Sequence, residues 1–316
     1  MRGGEFQDMD ISKFPTEPFT IATAKDRGIS PAKVRRAVRQ RLLVQVLRGV
    51  YLRSDVELTT EVKLSAAALV ISPHSVACDR TAAWIWGVSV FEYGELDATP
   101  PLETYVLRGH SPTDRPEVRG GTRDLMPADW VEIGGVKVTS PLRTALDLGC
   151  KLNRRPALAA MDALMRAHGF THVEMHRLAL RFFRRRGVIQ LRELIPLVDP
   201  RAESQPESWT RLELIDHGLP TPEPQYWIEI GGVPTFRLDL AYPHARVAVE
   251  YNGEEFHTSE EDREADEKRR DWLERHGWTV IVVTKESFSG DALIKWIGRV
   301  RDALVEAQRP RRRIYR

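Results

Sequence analysis

Two runs that alternate apolar and polar residues, PQYWIEI at 224–230 and FRLDLAY at 236–242, stand on either side of a Gly231-Gly232 pair. A period of two bounded by such a turn signal predicts an antiparallel β-hairpin. RVAVEYN at 246–252 follows a short turn and reads as a third strand. Its alternation assigns Val247, Val249 and Tyr251 to one face and Ala248, Glu250 and Asn252 to the other. Upstream, Pro206 opens a helix through Trp209, Leu212 and Ile215 that Gly218 ends, with Glu207 in its first turn. Downstream comes a charged helix from about Glu260 to His276, whose apolar stripe is Ala265, Trp272 and Leu273. TVIVVT at 279–284 is a short buried strand, and a last amphipathic helix runs from about Asp291 to Glu306. Residues 203–308 thus read as one domain: helix, three antiparallel strands, helix, strand, helix.

Asp239 lies in the second strand and Glu250 in the third. On one face of adjacent antiparallel strands, such residues stand about 5 Å apart. Two carboxylates that close require a cation between them or a proton on one. Oxygen ligands from one or two carboxylates suit Mg²⁺ or Mn²⁺, with water and a substrate phosphate completing the shell. Such an ion activates water and stabilises charge on a scissile phosphate. Asp239 and Glu250 are therefore the candidate metal ligands. The competing reading is a pair of solvated strand acids matched with Arg237 or Arg246, with Glu207 an ordinary first-turn acid favoured by the helix dipole.

At ~100–200 residues per domain, 316 residues predict two or three domains. VDPRAESQP at 198–206 reads as a linker between them. The 47 Lys and Arg nearly cancel the 45 Asp and Glu, which excludes a polybasic protein and shifts attention to where the charge sits. Residues 18–55 hold nine basic residues and only two acidic ones. Thr20–Arg27 predicts a helix stopped by Gly28, and Ser30 with Pro31 starts a second helix to about Gln40. Val34 and Val38 face inward, leaving Lys33, Arg35, Arg36 and Arg39 on exposed faces. VQVL and VYLR around Arg48-Gly49 predict a hairpin. Helix, turn, basic helix and hairpin is the order of a winged helix-turn-helix, which would set the second helix in the major groove of double-stranded DNA and Arg48 on phosphate.

Residues 56–198 mix Ala/Leu-rich helical stretches with a Gly/Pro-broken middle. Arg143 and Asp147 are spaced for an ion pair within a helix, and Trp84 and Trp86 read as packing residues. His172 and His176 have metal-compatible spacing, but no carboxylate-rich helix frames them, and no metal site is expected there. RFFRRR at 181–186 reads equally as a phosphate contact or as a snorkelling helix face. Cys78 and Cys150 make neither a disulfide framework nor a ligand spacing and read as thiols in a reducing compartment. No apolar run approaches the roughly 18 residues of a membrane span. The opening MRGGEFQDMD has no signal-peptide pattern, and a cytoplasmic location is expected. RPRRRIYR at 309–316 is a basic tail.

Two family resemblances add to these readings. TIATAKDRGISPAKVRRAVRQRLLVQVLRGVYLR at 20–53, ending in Gly49-Val50-Tyr51, resembles the N-terminal domain of the AbiEi-type antitoxins of type IV toxin–antitoxin systems. HSVACDRTAAWIWGV at 74–88 and VTSPLRTALDL at 138–148 continue it loosely. This resemblance implies a DNA-reading, autoregulatory module and a toxin as partner. Glu207, Asp239 and Glu250-x-Asn252, with VEYNGEEFH at 249–257, Asp266, Arg269, Arg270 and HGW at 276–278, resemble the PD-(D/E)XK nucleases in their very-short-patch-repair-like branch. That implies Asp239 and Glu250 on the metal and Glu207 orienting a water or second ion. The superfamily's Lys, two residues past Glu250, is Asn252 here, and Lys268, Lys285 and His257 are the candidate substitutes.

The expectation is an α+β protein. It has a winged helix over 18–55, an antitoxin-like mixed α/β region over 56–198, an αβββαβ restriction-endonuclease-like domain over 203–308 and a basic tail over 309–316. The expected function is a Mg²⁺- or Mn²⁺-dependent DNA endonuclease. The alternative is a catalytically inactive DNA-binding regulator of the antitoxin type.

Overall fold

Thr20 and Ser30 set where the first two helices begin. Each hydroxyl accepts a backbone N–H three residues on, from Thr23 at 3.2 Å and from Lys33 at 3.3 Å. These caps follow strand β1 (Phe19–Thr20) and the Gly28 turn, giving α1 (Ile21–Asp26) and α2 (Pro31–Arg39). Strands β2 (Leu43–Leu47) and β3 (Val50–Arg53) form the expected hairpin about Arg48-Gly49, and β1 adds to β3 on its other edge. Phe14, Phe19, Ile29, Val34, Ala37 and Leu43 are the buried core of this piece.

The computed structural model describes residues 10–90, 102–112, 118–253 and 260–309. The chain falls into two units: residues 1–150 with 177–183, and residues 151–176 with 184–316. His257 and residues 310–316 of the basic tail lie outside the described residues. Among the described residues, no helix is long and apolar enough to cross a membrane. Cys78 is buried, Cys150 half-buried, and neither is in a disulfide.

The first unit goes on through α3 (Thr60–Ala68), β4 (Ser75–Ala77), α4 (Asp79–Ile85), β5 (Leu102–Val106), β6 (Val118–Thr122), β7 (Trp130–Ile133), β8 (Val136–Thr139) and most of α5 (Pro141–Lys151). The five strands form one mixed sheet in the order β6-β5-β4-β8-β7. Leu64, Ala82, Ile85 and Val138 join the helices and sheet to Val46, Val50 and Leu52 of the hairpin in one apolar core. Beside it lies a buried network of acids and guanidinium groups. Arg143 reaches Asp147 across one helical turn at 2.9 Å, as its spacing predicts, and also Asp129 at 2.9 Å. Arg123 bridges Asp147 and Asp79, and the Tyr105 hydroxyl donates to Asp79 at 2.6 Å. Burial, then the Asp79 charge, pushes the Tyr105 hydroxyl far above its ordinary range. Arg181 takes neither role expected for the RFFRRR cluster: it grips both oxygens of Asp129 at 2.7 Å. Asp129, buried in the turn before β7, is the stronger claim on that guanidinium.

The second unit contains α6 (Arg154–His168), the start of α7 (His172–Ala179), α8 (Val188–Leu194), α9 (Gln205–Asp216), β9 (Glu223–Ile230), β10 (Val233–Tyr242) and β11 (Val247–Tyr251). It ends with α10 (Glu260–Arg275), β12 (Thr279–Val283) and α11 (Gly290–Gln308). Sheet order is β12-β11-β10-β9. The first three strands in the chain are antiparallel neighbours, as their alternation predicts, and β12 joins parallel to β11. A parallel neighbour needs a crossover, and α10 supplies it.

The 198–206 stretch is built into this unit, contrary to its reading as a linker. Val198 and Ala202 are buried, and the backbone N–H of Asp199 donates to Asp162 at 2.8 Å. Asp162, on α6, also receives Ser208 Oγ and Arg211 Nη2 of α9, both at 2.7 Å. A carboxylate taken fully out of water needs these donors, and they fold the proline-containing segment around it. His172 likewise spends its Nε2 on the Val198 carbonyl at 2.9 Å. Asp162→Ala strands the Arg211 charge in a buried site and is expected to cost about 3–5 kcal/mol, read by urea unfolding of the full chain. A loss below about 1 kcal/mol would show that the pair carries no such weight.

Candidate functional site

The β10–β11 ladder runs Tyr242–Val247, Ala241–Ala248, Leu240–Val249, so its next position sets Asp239 against Glu250. Asp239 ends the ladder with its side chain, whose Oδ2 accepts the Tyr251 backbone N–H at 3.0 Å. Burial pushes the Asp239 carboxyl up to about 7. The Tyr251 N–H works against that rise, the negative charges of Glu207 and Glu250 add to it, and Arg269 opposes it. Glu207 and Glu250 thus lie near enough to act on Asp239; the Asp239–Glu250 placement follows the strand alternation, whereas Glu207 enters only through the nuclease resemblance.

The cluster's internal bonds differ from what the sequence suggests. Neither Arg237 nor Arg246 serves Glu250: Arg237 holds Glu203 with two bonds of 2.8 Å, and Arg246 donates to the His276 carbonyl at 2.8 Å. Glu250 is instead held through both oxygens by Arg269 of α10, with Nη1–Oε2 at 3.0 Å and Nη2 on Oε1. The same Nη2 also donates to the Arg237 carbonyl at 2.9 Å. Lys268 stands next to Arg269 in sequence and is exposed, as is Lys285 beyond β12. Asn252 extends the β11–β12 pairing through its backbone N–H to the Val283 carbonyl at 2.9 Å. The sequence did carry a signal for Arg269. It lies midway between Ala265 and Leu273 on the apolar stripe of α10, four residues from each, and a charged residue on a buried stripe needs a partner.

Glu207 is tied into the start of its own helix. Ser204 Oγ accepts the Glu207 N–H at 3.3 Å, while the Glu207 carboxylate accepts the Ser204 hydroxyl at 2.8 Å and the Glu203 N–H at 2.9 Å. Gln225 Nε2 donates to the same carboxylate at 2.7 Å, and the Gln225 backbone adopts φ +54°, a left-handed conformation rare for a residue with a side chain. Its Oε1 is buried without a hydrogen-bond partner.

Mg²⁺ or Mn²⁺ favours oxygen donors of this type, but the donors are already committed. Arg269 covers both Glu250 oxygens, and cap and amide donors hold Glu207. Among the described residues, no three His, Cys, Asp or Glu side chains are arranged to hold a metal ion. As arranged, these residues do not fit a divalent ion.

The basic face lies in the first unit. On α2, Val34 and Ala37 are buried while Arg35, Arg36 and Arg39 are exposed, as are Arg41 and Arg48. Lys33 is only half-exposed, its Nζ 5.8 Å from the Phe14 ring centroid. Arg27 and Arg53 are paired with Glu17 and Asp55. Among the described residues, Arg35, Arg36, Arg39, Arg41 and Arg48 have no acidic partner.

Residues 75–197 match the family model of the AbiEi antitoxin C-terminal domain. The antitoxin likeness thus falls on the middle of the chain, where the sequence reading placed only its loose continuation, and segment 20–53 lies outside the matched residues. Two uncharacterized proteins of Mycobacterium tuberculosis are similar over most of the chain. They are MT2308 of strain CDC 1551 / Oshkosh and Rv2248 of strain ATCC 25618 / H37Rv. Each is 34% identical over 241 residues, 76% of this chain and 85% of its own.

The raised Asp239 carboxyl gives a signed prediction. Folding brings about proton uptake between the unfolded carboxyl range near 4 and the folded value of about 7, so ionising Asp239 weakens the fold progressively over that window. Asp239→Asn is therefore expected to gain stability over wild type as pH rises from about 4 to about 7, by roughly 2–4 kcal/mol at the upper end. Thermal melts of both proteins across that range check it; a difference that does not change with pH contradicts it.

Proposed function

This chain belongs to the family of the Mycobacterium tuberculosis proteins MT2308 and Rv2248, and we propose that it is a DNA-binding regulator of the antitoxin type. The observation that carries this reading is a set of cations with no acidic partner among the described residues, Arg35, Arg36 and Arg39 on α2 with Arg48 in the hairpin turn. In this reading residues 18–55 act as a winged helix. Val34 and Ala37 anchor α2 to its core, so the arginines are presented on a rigid helix rather than a loose segment. A duplex offers one negative charge per ~1.7 Å of axis, and each guanidinium placed on phosphate releases a condensed counterion. α2 would enter the major groove, with Arg48 on the flanking backbone.

The AbiEi likeness of residues 75–197 supports the regulatory role and a toxin protein as partner for that region. The endonuclease expected from the sequence gives way here to the inactive alternative, because Glu250 is engaged by Arg269 and Asn252 stands where the nuclease Lys is expected. The C-terminal elements run helix, three antiparallel strands, helix, strand, helix, and in this reading they take part in holding nucleic acid without hydrolysing it.

Fluorescence anisotropy of the full chain with a duplex from the promoter of its own gene is the test, run across a salt series. Wild type is expected to bind with a steep salt dependence that EDTA leaves unchanged. Reversing charge at Arg35→Glu and Arg36→Glu together should weaken binding roughly tenfold or more and flatten the log K against log salt slope by ~2. Unchanged affinity and slope in the double variant, or wild type failing to bind, would overturn the assignment.

A further inference from the structure

Strand β9 and the C-terminal end of α10 line a groove of about 1020 Å³ whose walls are mostly rings and guanidinium groups. Trp272 and His276, one helical turn apart, lie face to face with ring centroids 3.7 Å apart and planes 16° from parallel. The His276 Nδ1–H donates to the Trp272 carbonyl at 2.8 Å, which keeps the imidazole flat on the indole while the residue stays exposed. Phe236 backs the same indole at 5.1 Å, and Tyr226 and Trp278 form a second ring pair at 6.1 Å. Arg246 and Arg275 line the groove beside them. We propose that this groove is a binding site for single-stranded nucleic acid, whose unpaired bases stack on the rings while Arg246 and Arg275 take the phosphates.

Packing alone does not use up these rings. Tyr226, Phe236, Trp272 and Trp278 rest on the core of Ile228, Leu238 and Leu273, yet all four are only half-buried. Every base has a π-face, so a platform of rings accepts a strand of any sequence, whereas bases in a duplex are already stacked on one another. Arg246 is held ready for contact. Its backbone takes φ +52°, a left-handed conformation rare for a residue with a side chain. The Thr279 N–H donates to its carbonyl at 2.8 Å, and its own Nη1 donates to the His276 carbonyl at 2.8 Å. Gly277 permits that reach, since a Cβ there would stand 3.4 Å from Nη1. The guanidinium is thus fixed beside the His276 ring, and it has further N–H groups for an anion. Arg275 pairs with Asp271 at 3.2 Å, both side chains being exposed, a bond that a phosphate replaces at little cost. Glu229 is the acid among the lining residues, against two guanidinium groups. A proline-rich peptide could also use the rings, but it would leave the fixed cation without an anion. The volume stands at the top of the roughly 300–1,000 Å³ of small-ligand sites, which suits a strand better than one base.

This goes beyond the reading of α2 as a duplex contact and does not depend on it. The experiment titrates the full chain with a fluorescein-labelled oligothymidylate of about ten nucleotides, followed by anisotropy and by quenching of tryptophan fluorescence. Wild type is expected to bind it with quenching. An abasic oligomer of the same length, with the same charge and no rings, should bind roughly tenfold or more weakly. His276→Ala with Arg246→Asn should weaken oligothymidylate binding roughly tenfold or more, asparagine being a residue that tolerates the left-handed backbone. Arg275→Gln, on an exposed side chain, should lower the salt slope by about one, and it carries the test if the double variant does not fold by thermal melting. Arg35→Glu with Arg36→Glu, which disables the duplex contact, should keep both the oligothymidylate binding and the quenching, so the two readings stand or fall separately. Wild type that does not bind the oligothymidylate, an abasic oligomer held as tightly, or folded groove variants that bind like wild type would each overturn the proposal. So would an oligoproline peptide that quenches the same tryptophans and displaces the strand at lower concentration than unlabelled oligothymidylate does.

Discussion

A carboxylate removed from water has to be given a cation or a proton, and that requirement organises both units of this protein. In the first unit, Asp79, Asp129 and Asp147 are met by Arg123, Arg143 and Arg181. In the second, Asp162 is met by Arg211 and Glu250 by Arg269. Two acids are met otherwise: burial pushes the Asp239 carboxyl up to about 7, and Glu207 takes neutral donors from Glu203, Ser204 and Gln225. The partner is arginine each time, the side chain that satisfies both carboxylate oxygens at once and cannot itself be neutralised. Losing either member of such a pair leaves a buried charge uncompensated, so the pairs fix which helix meets which strand.

Much of the architecture was legible because it rests on local signals. Ser30 with Pro31, Gly28, Arg48-Gly49 and Gly231-Gly232 are cap and turn residues whose conformations are nearly self-determined, and the elements they bound appear where expected. The Asp239–Glu250 juxtaposition was legible for a related reason: alternation fixes a strand residue's face, and a short turn fixes the register. Long-range partners were not. Nothing in VDPRAESQP says that Asp162, nearly forty residues upstream, recruits its backbone, so polar residues and prolines looked like a linker. Arg181 in RFFRRR was equally opaque, because its partner Asp129 comes from a distant turn. Arg269 lay between these cases, its position on the α10 stripe being readable and its target being set by the crossover that brings β12 parallel to β11.

The two units put arginine to two different uses. The first shows its arginines to solvent, where a phosphate can take them. The second spends an arginine internally on an acid that would otherwise repel phosphate. Similarity to the AbiEi antitoxin C-terminal domain falls on residues between the α2–hairpin element and the acid-bearing sheet, the region of the buried Asp79–Arg123–Asp147–Arg143 network. In that region the buried charges are satisfied by one another.

An acid pair occluded by a borrowed side chain differs in its evolutionary reversibility from one whose acids have eroded. Asp239, Glu250 and Glu207 are all still in place, and a single helix position holds the stopper. Position 269 is therefore a fastening: one side chain of α10 ties Glu250 of the third strand to the Arg237 carbonyl of the second.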